Sequence, residues 1–194
     1  MRSESGALLG QWEASGKPEI SDPASSLQMF FYHGCIAGNL STVCVRRSVI
    51  RELGGFDESF QLSADYDMWV RICARAPMAN LQELLVELTD HSNRLSRSYG
   101  AGVTFVRENR RIREYLLGLF PGRTRPYARR FLLMRHNVLD THELMSCVAH
   151  GRFREALSLM GVLGPRDMIA GTIAWLLTVN NHLFCPKPDF SRWQ

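Results

Sequence analysis

An α/β segment followed by an all-helical one is the fold class this sequence predicts, and three observations predict it. A run rich in β-branched residues, Ser41 to Val45, leads into a helix-period run that stops at Gly54-Gly55. Beyond residue 97 the apolar residues keep three- and four-residue spacing, the signature of amphipathic helices. The chain has 194 residues, 45% of them hydrophobic, which suits one globular domain with appended structure. The expected boundary lies near residues 98–100, so that 1–98 form the α/β part and 99–194 the helical part.

The elements follow in order. Residues 5–14 read as a strand before a Gly/Pro turn. SDPASSLQMFFYHG opens with a Ser/Asp/Pro helix start and continues as a short apolar run. Ser41 to Val45 reads as a buried strand, and Val49, Ile50 and Leu53 share a helical face behind it. Gly54-Gly55 is the stop, because glycine adopts the left-handed cap conformation freely. A helix is expected from about Asp65 to Ala76, with Ser63 as its cap. Residues 79–91 read as a strand. Four helical patterns follow over 100–118, 125–149, 152–160 and 165–183. The second carries an apolar seam of Phe131, Met134, Val138, Met145 and Val148, and Pro165 sits in the first turn of the last.

Net charge is +4, and the cations are arginine except for Lys17 and Lys187. Such an excess suits an anionic partner without choosing one. Five cysteines, Cys35, Cys44, Cys73, Cys147 and Cys185, form no CxxC pair and no Cys/His cluster. That pattern predicts reduced thiols in a cytoplasmic setting and excludes a spacing-defined zinc site. The N-terminal residues lack the apolar core of a signal peptide. The uncharged run 168–179 is shorter than the roughly 18 apolar residues that argue a membrane span. No GxSxG elbow, P-loop or HExxH occurs, so hydrolase, NTPase and zincin readings have no support.

Chemistry is concentrated in GGFDESFQLSADYDMWVRICARA, residues 54–76. Asp65 and Asp67 could suggest a divalent-metal pair, but positions i and i+2 of a helix point about 200° apart. Asp65 alone shares a face with Trp69, Ile72 and Cys73. That face is the expected buried one, so a carboxylate in its first turn stands at the rim of a cleft. The helix dipole favours its ionised form, which is what a general base needs. The plain alternative is an ordinary acidic first turn. Asp57-Glu58 belongs to a turn with Phe56 as its core anchor.

The string GNLSTVCVRRSVIRELGGFDESFQLSADYDMWVRICARA, followed by LQELLVELTDHSNRLS, resembles the C-terminal half of the inverting family 2 glycosyltransferases of the GT-A fold. The matching elements are Arg46-Arg47, Gly54 to Glu58, Asp65-Tyr66-Asp67-Met68-Trp69 with Arg71, and His91 to Ser96, over about residues 28–98. The resemblance implies a partial GT-A sheet-and-helix region and transfer of a sugar, with inversion, from a nucleotide-sugar to a glycan or lipid-linked acceptor. It implies Asp65 as the catalytic base, Phe56, Asp57 and Trp69 as substrate-binding residues, and His91 as a metal-side residue. A divalent cation, Mg2+ or Mn2+, is the implied cofactor. Ala64 and Thr89 depart from the pattern, standing where the family has an acid and an arginine. The family's nucleotide-binding half, with its Asp-x-Asp motif, has no counterpart before residue 28. The alternative expectation is therefore a non-catalytic remnant acting as a helical interaction or membrane-peripheral module.

Arginine dominates residues 94–135, with Glu108 and Glu114 opposing it. No nucleic-acid module or aromatic platform accompanies these cations, so nucleic acid is not the expected partner. Peripheral contact with the inner face of a membrane is the expectation for the apolar last helix, against a plain solvated arginine face. His136, Asp140 and Glu143 lie at i, i+4 and i+7 and are expected to face solvent, opposite the apolar seam.

Overall fold

The computed structural model describes residues 2–3, 5–8, 17–90 and 100–178. These are mostly helical and fall into two compact units, one within Met1–Ser98 and the other within Tyr99–Lys187.

In the first unit α1 (Pro23–His33) starts where the sequence chemistry places it. The Asp22 carboxylate accepts from the Ser25 N–H at 3.0 Å, and Pro23 occupies the first turn, where no N–H is needed. The helix buries Met29, Phe30 and Phe31 completely. Against them packs α3 (Ala64–Cys73), which buries Tyr66, Met68, Trp69, Val70 and Cys73. The Tyr66 hydroxyl donates to the Phe30 carbonyl at 3.0 Å, and the two rings stack 5.8 Å apart. A buried Tyr needs such a partner, because an unmet hydroxyl costs about 1–3 kcal/mol. Between them lies the short α2 (Arg47–Glu52).

Two short strand pairs complete this unit. β1 (Arg2–Ser3) pairs parallel with β4 (Thr89–Asp90). β2 (Ile20–Ser21) pairs antiparallel with β3 (Met78–Ala79), placing Ile20 opposite Ala79. The second pairing is extended by Asn80, whose backbone N–H donates to Glu19 O at 2.8 Å and whose side-chain amide donates to Pro18 O at 2.8 Å.

Two expected strands are not formed. Leu40–Thr42 is a 3-10 turn, and Ser41, Thr42 and Cys44 are exposed rather than buried. Val43 is extended (φ −117, ψ 133), yet among the described residues no strand pairs with it. β-branching prepares a backbone for a sheet, but only a partner edge makes it one. Residues 79–91 pair only near their ends, leaving Leu81, Leu84, Leu85 and Val86 exposed. This run lacks the period-two alternation of a half-buried strand. Of the expected strand 5–14, Leu8 makes an isolated bridge and residues 9–14 lie outside the described residues.

The second unit is helical throughout its described length: α4 (Ala101–Leu119), α5 (Arg125–Phe131), a π-helical segment (Leu132–His136), α6 (Asn137–Ala149) and α7 (Phe153–Thr178). Its core joins Val103 and Val106 of α4, Cys147 of α6, and Ala156, Leu159 and Leu163 of α7. α7 leaves helical geometry at Gly164 (φ 72, ψ 160) and Pro165 opens a second helical run, so it consists of two helices across a kink, as the two patterns predict. At Gly171, α6 and α7 approach so closely that an added Cβ would lie 2.7 Å from the Asn137 carbonyl oxygen. Only glycine allows that crossing.

The expected seam of the 125–149 pattern is displaced. Val138 is buried, but Met145 and Val148 are exposed. His136 and Asp140, expected to face solvent, are 6% and 3% exposed, while Glu143 is part-exposed. The first turn of α6 is covered around much of its circumference: Asn137, Val138, Asp140 and Thr141 are all buried, so the polar and apolar positions there are enclosed together. No helix among the described residues is long and apolar enough to cross a membrane.

Candidate functional site around Asp65

Asp65 stands in the first turn of α3, with its side chain half-buried. Its Oδ1 accepts from the Tyr66 N–H at 2.8 Å. Burial pushes the carboxyl above the ordinary aspartate range, and this outweighs the backbone N–H bonds from Tyr66 and Asp65 that pull it down. The balance corrects the expectation that the helix end sets the protonation state: desolvation is the larger effect here. Among the described residues, no arginine or lysine forms an ion pair with Asp65. Ser63, the expected cap, makes no side-chain cap bond to the helix (φ −111, ψ 22).

Asp67 has a different assignment. Its Oδ2 accepts from the Arg71 Nε at 2.8 Å, one helical turn on. The other end of that guanidinium donates to Leu53 O and Gly55 O, both at 3.0 Å. Asp67 thus orients Arg71, and Arg71 ties α3 to the turn after α2. Gly54 and Gly55 take φ of 78 and 82, the left-handed region glycine favours. The sequence reading missed this clamp, although the i, i+4 spacing of Asp67 and Arg71 carried its signal.

The clamped turn delivers Phe56 and Asp57. Phe56 is 39% exposed rather than a core anchor, and its ring meets Trp69 edge-on at 6.3 Å. Trp69 is buried, and its indole N–H donates to Gly38 O at 3.2 Å. Asp57 closes its own turn, with Oδ1 accepting from the Ser59 N–H at 2.9 Å. Phe56 and Trp69 therefore make direct contact. Asp57 is held by its local turn.

Three further groups come from different elements: Cys35 in the loop after α1, Cys73 at the end of α3, and Lys17 ahead of α1. Burial pushes the Cys35 thiol up to about 11, and the negative charge of Asp65 adds to the effect. Burial likewise pushes Cys73 up to about 12, with Cys35 contributing. Lys17 donates to Ile36 O at 2.6 Å, and burial draws its ammonium pKa down. Both thiols stay protonated at neutral pH and are poor nucleophiles, so the proton chemistry here falls to the carboxylate.

His91 lies outside the described residues. No group of three His, Cys, Asp or Glu side chains that could hold a metal occurs among the described residues. No family model, curated protein or solved structure matches this chain.

Proposed function

We propose that residues 28–98 are the acceptor-side part of an inverting family 2 glycosyltransferase of the GT-A fold, with Asp65 as its general base. The hydroxyl oxygen of a glycan or lipid-linked acceptor attacks the anomeric carbon of a nucleotide-sugar. The bond from that carbon to the diphosphate breaks, and the hydroxyl proton passes to the Asp65 carboxylate. The observation that supports this most is the half-buried first-turn position of Asp65, with burial raising its pKa and no cation paired to it among the described residues. A base of raised pKa holds an abstracted proton better than an ordinary aspartate. Phe56, backed edge-on by the buried Trp69, offers the apolar surface on which a sugar ring rests, and the Arg71 clamp sets the position of Phe56.

The divalent cation implied by the resemblance finds no fitting donor set among the described residues, where Asp67 is paired with Arg71. The test is release of nucleoside diphosphate from a panel of nucleotide-sugars in the presence of glycan and lipid-linked acceptors. Asp65→Asn is expected to slow release by about 10²–10⁴-fold while leaving the donor KM unchanged. Release at the wild-type rate would overturn the base assignment.

A second reading, a non-catalytic membrane-peripheral helical module, is favoured by α7, where Ile169, Ile173 and Leu176 form an exposed apolar stripe at i, i+4 and i+7. Sedimentation with anionic vesicles, combined with no diphosphate release from any donor, would select it.

A further inference from the structure

The second unit encloses a cavity of about 170 Å³ between α4, α5, the π segment, α6 and the second half of α7. We propose that it binds a phosphate group. The cavity is partly open to solvent and has room for a phosphate group.

Four arginines line the cavity, Arg110, Arg113, Arg129 and Arg166, against the carboxylates of Glu114 and Asp167. Their states differ. Arg110 is paired with Asp167 and lies 3.5 Å from Asp140, and Arg113 lies 3.3 Å from Asp140. These two are held rigid and largely neutralised. Arg129 has only a 4.0 Å contact with Glu114, both side chains being well exposed. Arg166 has no ion pair or hydrogen bond among the described residues. Set against Glu114, Asp167 and Asp140, the four arginines leave one net positive charge, carried by Arg166, with Arg129 only loosely held by Glu114.

The buried wall supplies an independent observation. Asn137 is 5% exposed and lines the cavity. Its Oδ1 accepts from Arg110 at 3.3 Å, and since a guanidinium can only donate, the amide oxygen must be the atom facing it. That leaves the Asn137 Nδ2 donor buried without a partner. Such a donor is unfavourable to bury unless an acceptor arrives. Phosphate oxygens only accept, so they match this amide and both loosely held guanidiniums.

Backbone geometry adds to the match. The kink at Gly164 starts a new helical run at Pro165, so Arg166 and Asp167 stand in its first turn, where the dipole favours an anion. The π segment supplies Leu132, Leu133 and His136 to the same walls, and π-bulges are frequent at functional sites.

The test titrates the full chain calorimetrically with inorganic phosphate and pyrophosphate at low salt. In parallel, the chain is sedimented with phosphatidylcholine vesicles with and without phosphatidic acid. Saturable binding that weakens as salt rises is expected in at least one arm. The soluble arm identifies a free phosphate, and binding only to phosphatidic acid vesicles identifies a lipid headgroup. Arg166→Gln, an exposed change that leaves the buried ion pairs intact, is expected to weaken binding about tenfold, or about 1.4 kcal/mol. Arg154→Gln, an exposed arginine outside the cavity, is expected to leave it unchanged. The proposal is overturned by absence of saturable binding in both arms, by unaltered affinity in Arg166→Gln, or by equal weakening in Arg154→Gln.

Discussion

Two aspartates, one in each unit, solve the same problem in opposite ways. Asp65 and Asp140 both sit on helices, and burial raises the carboxyl pKa of each. Asp140 is 3% exposed and lies against two guanidiniums, Arg113 at 3.3 Å and Arg110 at 3.5 Å, which oppose that rise. Asp65 is only half-buried, and what opposes the rise is backbone N–H. A carboxylate locked between two arginines is tied into the packing of its unit, even though burial still outweighs them. One left with backbone donors alone keeps the capacity to take a proton. Burial by itself therefore does not mark a functional acid; what surrounds it does.

The comparison can be broken most forcefully at Asp140. Asp140→Ala leaves Arg110 and Arg113 without their shared counter-charge and is expected to cost about 3–5 kcal/mol in chemical denaturation. A loss below about 1 kcal/mol, the range of surface pairs, would remove the contrast. Gly171→Ala tests the helix crossing behind Asp140. A new Cβ against the Asn137 carbonyl and the Thr141 hydroxyl is expected to cost about 1–3 kcal/mol, read as a lowered Tm. Arg71→Gln frees the carbonyls of Leu53 and Gly55 on the Asp65 side, with an expected cost of about 1 kcal/mol per lost bond to the charged group. Faster proteolysis at the 54–57 turn would accompany it.

Asp65→Asn is expected to have the smallest effect on stability and the most informative sign. A carboxyl whose folded pKa exceeds its unfolded value keeps its proton longer in the folded state. Folding therefore loses stability as pH rises from the unfolded pKa, about 3.9, through the folded one. Asparagine removes that loss. The variant is expected to melt slightly above wild type at about pH 7, with the difference vanishing below about pH 4. A drop in Tm at every pH would instead make Asp65 a structural residue.

Local chemistry was the legible part of this sequence. Asp22-Pro23 starts α1 and Gly54-Gly55 ends α2, because caps and stops depend on a few neighbouring residues. The position of Asp65 on α3 beside Trp69 was legible for the same reason. What depended on partners distant in sequence was not. Ser41 to Val45 has a strand's composition but no pairing edge, and Ser63 has a cap's chemistry but not its backbone angles. His136 and Asp140 are buried because the start of α6 is covered on several sides, and a count of one apolar face does not reveal that. The Arg71 clamp had a sequence signal in its spacing from Asp67, but its backbone acceptors appear only in three dimensions.

The pKa of Asp65 tests the central claim most directly. A carboxyl-carbon NMR titration of the full chain, with the Asp65 signal identified by its disappearance in Asp65→Asn, is expected to give a midpoint clearly above the ordinary value of about 3.9. A midpoint at or below that value would mean that solvent or a counter-charge already satisfies the carboxylate, contradicting its role as the uncompensated base.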